Sequence, residues 1–355
     1  MIAVTAEGPS PDADGPIPAG WAIALRGVRR DRAGSPVVHD IDLDVDPGRI
    51  VAFVGPSGCG ATTLLRIVTG AERADAGTVL IDGRSGPPAP RVPRVGDRTP
   101  IVRFGRVEAS IAAVARRAGT PEPHTEAARL SELVGLGTGD RLVHRLSRGD
   151  RQRWALARAL ATRSGAIVLD DALAALPTAA RSTTRERVVH ELREREVTAL
   201  WFTRDTTEAA AVADRLVVMD GGGVVASGRP DEVYARVDEP AVAEVLGPVS
   251  AVPGIVEGAI VEVWGRELPL VHAARDGHCE VVVRPENVLL VGPDDAGMDA
   301  VVEGTTFLGG ARRSTVRTSD GVRVIVEHAA GHRLDDQERV RIALATVPAV
   351  IRARG

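Results

Sequence analysis

The sequence contains no lysine; all 44 of its basic side chains are arginines. That excludes every mechanism that needs a lysine, including the ammonium that ordinarily lies against phosphate in a phosphate-binding loop. Alanine, glycine and arginine are abundant, as in chains from GC-rich genomes, and arginine serves solvated surface positions well. Such a bias does not account for a lysine missing from a position whose chemistry requires one. Aromatics make up only 3% of the chain, too few for the stacking platforms of single-stranded nucleic-acid binders. The two cysteines, Cys59 and Cys279, are isolated. They encode neither a disulfide framework nor a zinc cluster, which fits a reducing cytoplasm. No apolar run reaches the roughly eighteen residues of a membrane-spanning helix. Residues 1–20 are acidic and proline-rich, without an apolar stretch. They are expected to form a disordered tail rather than a secretory signal.

What is there points to two folded domains. The chain has 355 residues, 44% hydrophobic and 26% charged, with a formal net charge of −4. This is a globular composition, longer than one ordinary core. Strands are expected at 22–28 and 37–45, and a short, fully apolar run at 50–54 suits a buried parallel strand. A helical pattern follows at 64–68, whereas 84–100 is rich in Pro, Gly and Arg and reads as loop. Helices are expected at 107–117, 124–134, 151–163, 179–195 and 206–213, with strands at 166–169 and 197–202 and a hairpin at 217–226. This alternation indicates an α/β fold with a mainly parallel sheet. Beyond about 239, apolar runs at 255–263, 281–290, 300–305 and 322–326, separated by glycine turns, read as a small β-barrel.

The segment Gly55-Pro56-Ser57-Gly58-Cys59-Gly60-Ala61-Thr62-Thr63 has phosphate-loop glycine spacing between an expected strand and an expected helix. Its glycines let backbone N–H groups curl around phosphate, and the helix start adds partial positive charge. Thr62 stands where a hydroxyl holds Mg²⁺. Position 61, which the pattern assigns to lysine, is Ala61.

Further along, Leu146-Ser147-Arg148-Gly149-Asp150-Arg151-Gln152-Arg153 precedes the alanine-rich run Ala155-Leu156-Ala157-Arg158-Ala159-Leu160. Asp170 closes an apolar run 23 residues after Ser147, and Arg204, within Thr203-Arg204-Asp205, lies 33 residues after Asp171. Together with the phosphate loop, these ordered motifs resemble the ATP-binding subunits of ABC transporters over residues 21–236. Val283-Arg284-Pro285-Glu286 and Phe307-Leu308-Gly309-Gly310 resemble the transport-associated OB-like (TOBE) domain of importer ATPases. By architecture the chain is similar to importers for iron, polyamines, sulfate or sugars. The resemblance implies an α/β P-loop domain with a helical subdomain over 21–238, a linker at 239–252 and an all-β OB-like domain at 253–355.

It also implies roles. ATP would contact Gly55, Pro56, Ser57, Gly58, Cys59, Gly60, Ala61, Thr62 and Thr63, with Arg32 where an adenine-stacking aromatic usually lies. Ser147, Arg148 and Gly149 would face the nucleotide of a partner subunit. Thr62 and Asp170 would hold Mg²⁺. Asp171 occupies the place of the glutamate that polarises the attacking water, one methylene shorter, and positioning errors near 1 Å can cost about 100-fold. Arg204 replaces the switch histidine, and Arg148 replaces a signature glycine. Ala172 and Pro177 replace the proline after the acidic pair and the aspartate of the dimer-contact loop. No glutamine occurs between Ala61 and Ser147, and Ile101-Val102-Arg103-Phe104 marks a shortened Q-loop. Each lost contact of this kind typically costs about 2.7–4 kcal/mol, not additively.

Three readings follow. The first is a catalytically degenerate importer subunit, peripheral on the inner membrane face, that binds ATP weakly or in a composite site and couples it to solute uptake. It would work with permease subunits, indirectly with a solute-binding protein, and as a homodimer or beside an active paralogue. The second is a divergent but active ATPase in which Arg148 or Arg204 supplies the missing charge. The third is a regulatory or scaffold protein whose OB-like domain senses a small anion. Nucleic acid is not an expected partner, since residues 253–355 hold 12 Arg against 15 acidic residues.

Overall fold

The computed structural model describes residues 20–85, 92–96, 105–137, 141–236 and 239–353. Residues 1–19 of the expected tail, and Ile101-Val102-Arg103-Phe104 of the expected Q-loop, lie outside the described residues. The chain divides into two compact units, Met1–Val233 and Tyr234–Gly355.

In the first unit, β1 (Ile23–Arg32) and β2 (Ser35–Val45) form an antiparallel hairpin. Strand β3 (Ile50–Val54) leads through the phosphate loop into α1 (Ala61–Val68). Strand β4 (Ala76–Ile81) pairs with β1 and completes a three-stranded sheet ordered β2-β1-β4. There follow β5 (Arg94–Gly96), α2 (Val107–Arg117), α3 (Pro123–Leu133) and α4 (Arg148–Leu160). Then come β6 (Ala166–Asp170), α5 (Thr178–Glu194), β7 (Thr198–Phe202) and α6 (Thr206–Val212). Strands β8 (Arg215–Asp220) and β9 (Gly223–Gly228) complete the run, and helix α7 (Pro230–Ala235) spans the division between the two units, with Tyr234 in the second.

The larger sheet is ordered β5-β6-β7-β3-β8-β9. All its pairings are parallel except β8 with β9. Strands β3 and β7 are buried along their whole length, which is why they read as apolar runs rather than alternating ones. Phe53 and Phe202 face each other across them and stack, ring centroids 4.4 Å apart and 8° from parallel. The neighbours β6, β7 and β3 therefore end side by side. Their carboxyl ends carry Asp170-Asp171, Thr203-Arg204 and the phosphate loop, the edge at which open α/β sheets bind ligands. Helices α2, α3 and α4 pack on one another, and buried Trp154 donates from Nε1 to Ser110 Oγ at 2.8 Å, tying α4 to α2.

Sequence pattern and structure differ at three places in this unit. The expected loop 84–100 contains β5, a strand defined by its pairing with β6 rather than by composition. The half-exposed β4 lacks a clean alternation and forms because β1 offers it an edge. Helix α4 begins at Arg148 rather than at Arg151. Ser147 caps it, Oγ accepting from the Asp150 amide at 3.1 Å, so the signature residues themselves form its first turn.

The second unit opens with α8 (Pro240–Leu246). One antiparallel sheet, ordered β12-β11-β10-β13-β19, contains β10 (Ser250–Glu257), β11 (Ile260–Val263), β12 (Arg266–Pro269), β13 (Gly277–Val283) and β19 (Val350–Ala353). The other, ordered β14-β18-β15-β16-β17, contains β14 (Val288–Val291), β15 (Met298–Phe307), β16 (Ala311–Thr318), β17 (Arg323–Ala329) and β18 (Arg339–Leu344). The run expected over 255–263 is the β10–β11 hairpin, turning at Gly258 with φ +63°. Inward valines, among them Val252, Val281, Val302, Val316 and Val324, form the core. Arg284 is buried, stacks on the Tyr234 ring at 4.1 Å and donates to the Gly247 carbonyl at 2.8 Å. Tyr234 Oη in turn donates to Glu286 at 2.6 Å. The Arg284-Pro285-Glu286 motif thus holds down the segment that precedes the β-sheets.

Candidate functional site: a phosphate cradle without its ammonium

The loop after β3 is shaped by close approaches that only glycine permits. A Cβ on Gly55 would lie 2.3 Å from the Met219 carbonyl oxygen. One on Gly60, where φ is +91°, would lie 2.4 Å from that of Val37. The Cys59 amide closes the loop on the Pro56 carbonyl at 3.1 Å, and those of Thr63 and Leu64 turn back to Gly60 at 2.9 Å each. The amides of Gly60, Ala61 and Thr62 head α1, where a helix start leaves donors for an anion.

The loop opens on a cleft of about 170 Å³ lined by Val37, Phe53, Gly55–Thr63, Asp170, Asp171, Phe202, Thr203 and Arg204. The structure therefore brings together the whole phosphate loop, the acidic pair and the switch position. Among the described residues, Arg204 is the one cationic side chain lining this cleft, against two carboxylates. Ser147, Arg148 and Gly149 do not line it; Arg148 is exposed on the first turn of α4. Arg32 does not line it either. Its guanidinium is held by Glu72, Nη2 to Oε2 at 2.9 Å, and Glu72 also receives Arg30 at 2.9 Å. Hydrogen bonds first from Arg30 and then from Arg32 hold the Glu72 carboxyl below its ordinary range.

Asp171 is a non-glycine residue in the left-handed region, with φ +46°. Its amide donates to the Phe202 carbonyl at 2.9 Å, its carbonyl accepts from Gln152 Nε2 at 3.1 Å, and Oδ1 receives the Arg204 amide at 3.4 Å. Gln152 Oε1 also accepts from the Ala175 amide at 2.8 Å. Glu208, 4% exposed, accepts from Thr203 Oγ1 at 2.6 Å. Burial pushes its carboxyl above the usual range, and Asp205 adds to the shift.

Residues 38–174 match the ABC transporter family, and residues 281–350 match the TOBE domain. A Fe(3+) ions import ATP-binding protein of Rhodococcus jostii is 34% identical over 340 residues, 91% of this chain and 96% of that one. The chain belongs to the ATP-binding subunits of ABC transporters. The sulfate/thiosulfate import ATP-binding protein of Chromobacterium violaceum is 36% identical, over 84% of this chain and 87% of that one. A dimeric ATP-binding cassette, solved after hydrolysis with ADP and phosphate, overlays 59% of this chain and 98% of its own at TM-score 0.52. At 20% identity it shows the shared fold of the ABC domain.

In this ABC subunit, sequence reasoning missed Arg94. Its Nη2 donates to Asp170 Oδ2 at 2.5 Å, so the carboxylate expected to hold Mg²⁺ is paired with a guanidinium. Nothing in the Pro- and Arg-rich stretch around Arg94 signals this; only the β5–β6 pairing creates it. A second cleft, of about 940 Å³, lies in the β-rich unit. Two of its arginines, Arg317 and Arg341, are paired with Glu303 and Asp299 at 2.5 Å each.

Proposed function

We propose that this chain is the nucleotide-binding subunit of a solute importer that holds ATP in its phosphate cradle and hydrolyses it poorly. The observation that carries this reading is the composition of one cleft. The backbone cradle is intact, while Ala61 supplies no ammonium, Asp170 is committed to Arg94, and the short Asp171 side chain is turned onto the Arg204 amide. Phosphoryl transfer relies on positioning and charge stabilisation, so the departures at Asp170 and Asp171 act on the barrier, while the missing ammonium at Ala61 weakens binding. For Mg²⁺ the residues present do not fit. The exposed Thr62 hydroxyl is available, but Oδ2 of Asp170 already accepts from a guanidinium.

The ABC domain is proposed to end near 238 and the TOBE domain to begin near 253. Ser147, Arg148 and Gly149, away from the chain's own cleft, suit contact with a nucleotide held by a second ATP-binding subunit, a copy of this chain or an active paralogue. Among the described residues, no helix is long and apolar enough to cross a membrane. Coupling to transport therefore calls for permease subunits at the inner membrane face. The relatives named for Fe(3+), sulfate/thiosulfate and sn-glycerol-3-phosphate import support a small charged solute as cargo.

A second reading, slow hydrolysis with Arg204 on the γ-phosphate, is favoured by the placement of Arg204 in the cleft. Co-purification with a permease, followed by ATP binding and phosphate release compared with Asp170→Asn, tests both. Binding without Asp170-dependent release supports the first, and release that Arg204→Ala abolishes supports the second.

A further inference from the structure

Asp170 ends β6 with its cation already supplied by the chain. Gly96 stands opposite Asp170 and Arg94 opposite Val168 in the parallel β5–β6 ladder. Residues two apart on a strand share a face, so the Arg94 side chain runs past Gly96 to reach the carboxylate. Gly96 keeps that path clear: a Cβ there would lie 3.1 Å from Asp170 Cβ and 3.2 Å from Oδ2. Both partners are largely shielded, Arg94 being 26% and Asp170 24% exposed, so solvent screens the pair less than a surface one.

We propose that Arg94 is a built-in counter-ion that takes the place of the divalent cation at Asp170, so that this subunit binds metal-free nucleoside polyphosphate. The proposal rests on the nucleotide-binding reading above. A divalent ion at Asp170 must expel the guanidinium or lie beside it against like charge. Arg94 also returns one positive charge to a site that lost one at Ala61, but it neutralises the aspartate instead of the phosphate. The carboxylate, once paired, no longer repels the nucleotide, and the backbone cradle with Arg204 receives the phosphates without metal.

The test is calorimetric titration of the full-length protein with ATP, in EDTA and in excess Mg²⁺, for the native chain and for Arg94→Gln. The account expects the native protein to bind ATP in EDTA and to gain no affinity in excess Mg²⁺, which draws the nucleotide into its magnesium complex. Arg94→Gln should bind more weakly in EDTA and gain about tenfold or more from Mg²⁺, equivalent to about 1.4 kcal/mol. Mn²⁺ titration followed by electron paramagnetic resonance gives an independent readout: no tight site in the native protein, and one in the variant. If Arg94→Gln fails to fold, the native comparison and the Mn²⁺ titration decide alone. A native affinity that rises tenfold with Mg²⁺, without turnover, overturns the role of Arg94 and leaves the nucleotide-binding reading standing. No ATP binding in either condition overturns both.

Discussion

Gln152 of α4 donates from Nε2 to the Asp171 carbonyl at 3.1 Å and accepts from the Ala175 amide at 2.8 Å. One buried side chain in the signature helix thereby fixes the loop that follows the acidic pair. The same loop meets Gly149, where a Cβ would lie 3.1 Å from the Ala175 carbonyl oxygen. The conformation of Asp171, at φ +46°, is thus imposed by neighbours rather than chosen by the residue.

Removing that support has a stated cost. Gln152→Ala leaves the half-buried Ala175 amide without this partner, at roughly 1–3 kcal/mol, while the Asp171 carbonyl keeps the Ala174 amide at 3.1 Å. Urea denaturation should show a loss of about 1–3 kcal/mol, with protease cleavage appearing first near 171–176. A variant as stable as the native chain would show that water replaces the glutamine without penalty.

The buried Glu208 gives the stability a pH signature. Its folded carboxyl is raised above the unfolded value, chiefly by burial and further by Asp205, while Thr203, Arg181 and Arg185 pull the other way. A raised acid favours the fold below its unfolded pKa, and that contribution is lost as pH rises through the folded value. Glu208→Gln should therefore gain stability over the native chain above neutrality, with the difference shrinking at pH 5. Parallel thermal melts at the two pH values check this; a constant difference would show that Glu208 does not titrate in that window.

Ala61→Lys alone should leave turnover within about tenfold of the native rate, because Arg94 still neutralises Asp170 and Asp171 still falls short. Its effect should appear instead as tighter ATP binding, measured by calorimetry. A gain of a hundredfold or more in phosphate release would show that the lysine was the one decisive loss.

Much of this was legible before any coordinates. The phosphate loop, the signature and Asp170-Asp171 are each local in sequence, so glycine spacing and residue order place the first and last at the carboxyl edge of the sheet and the signature at the start of α4. The buried strands at Ile50–Val54 and Thr198–Phe202 announced themselves as apolar runs. Arg94 did not, because its meaning depends on a partner 76 residues away across a three-residue strand with loop-like composition. Arg32 shows the converse. Its position suggested adenine stacking, but Glu72, 40 residues on, supplies a carboxylate that composition alone does not reveal. The Asp171 backbone likewise follows from Gln152 and Phe202, not from any local preference of aspartate.

The central claim is that the cradle binds ATP and the surrounding residues fail to hydrolyse it. Steady-state phosphate release by the purified protein, alone and with its native permease, measured beside Asp170→Asn, tests it most directly. The account predicts saturable ATP binding with phosphate release indistinguishable from that of Asp170→Asn. Release by the native chain more than about tenfold above that control would contradict it.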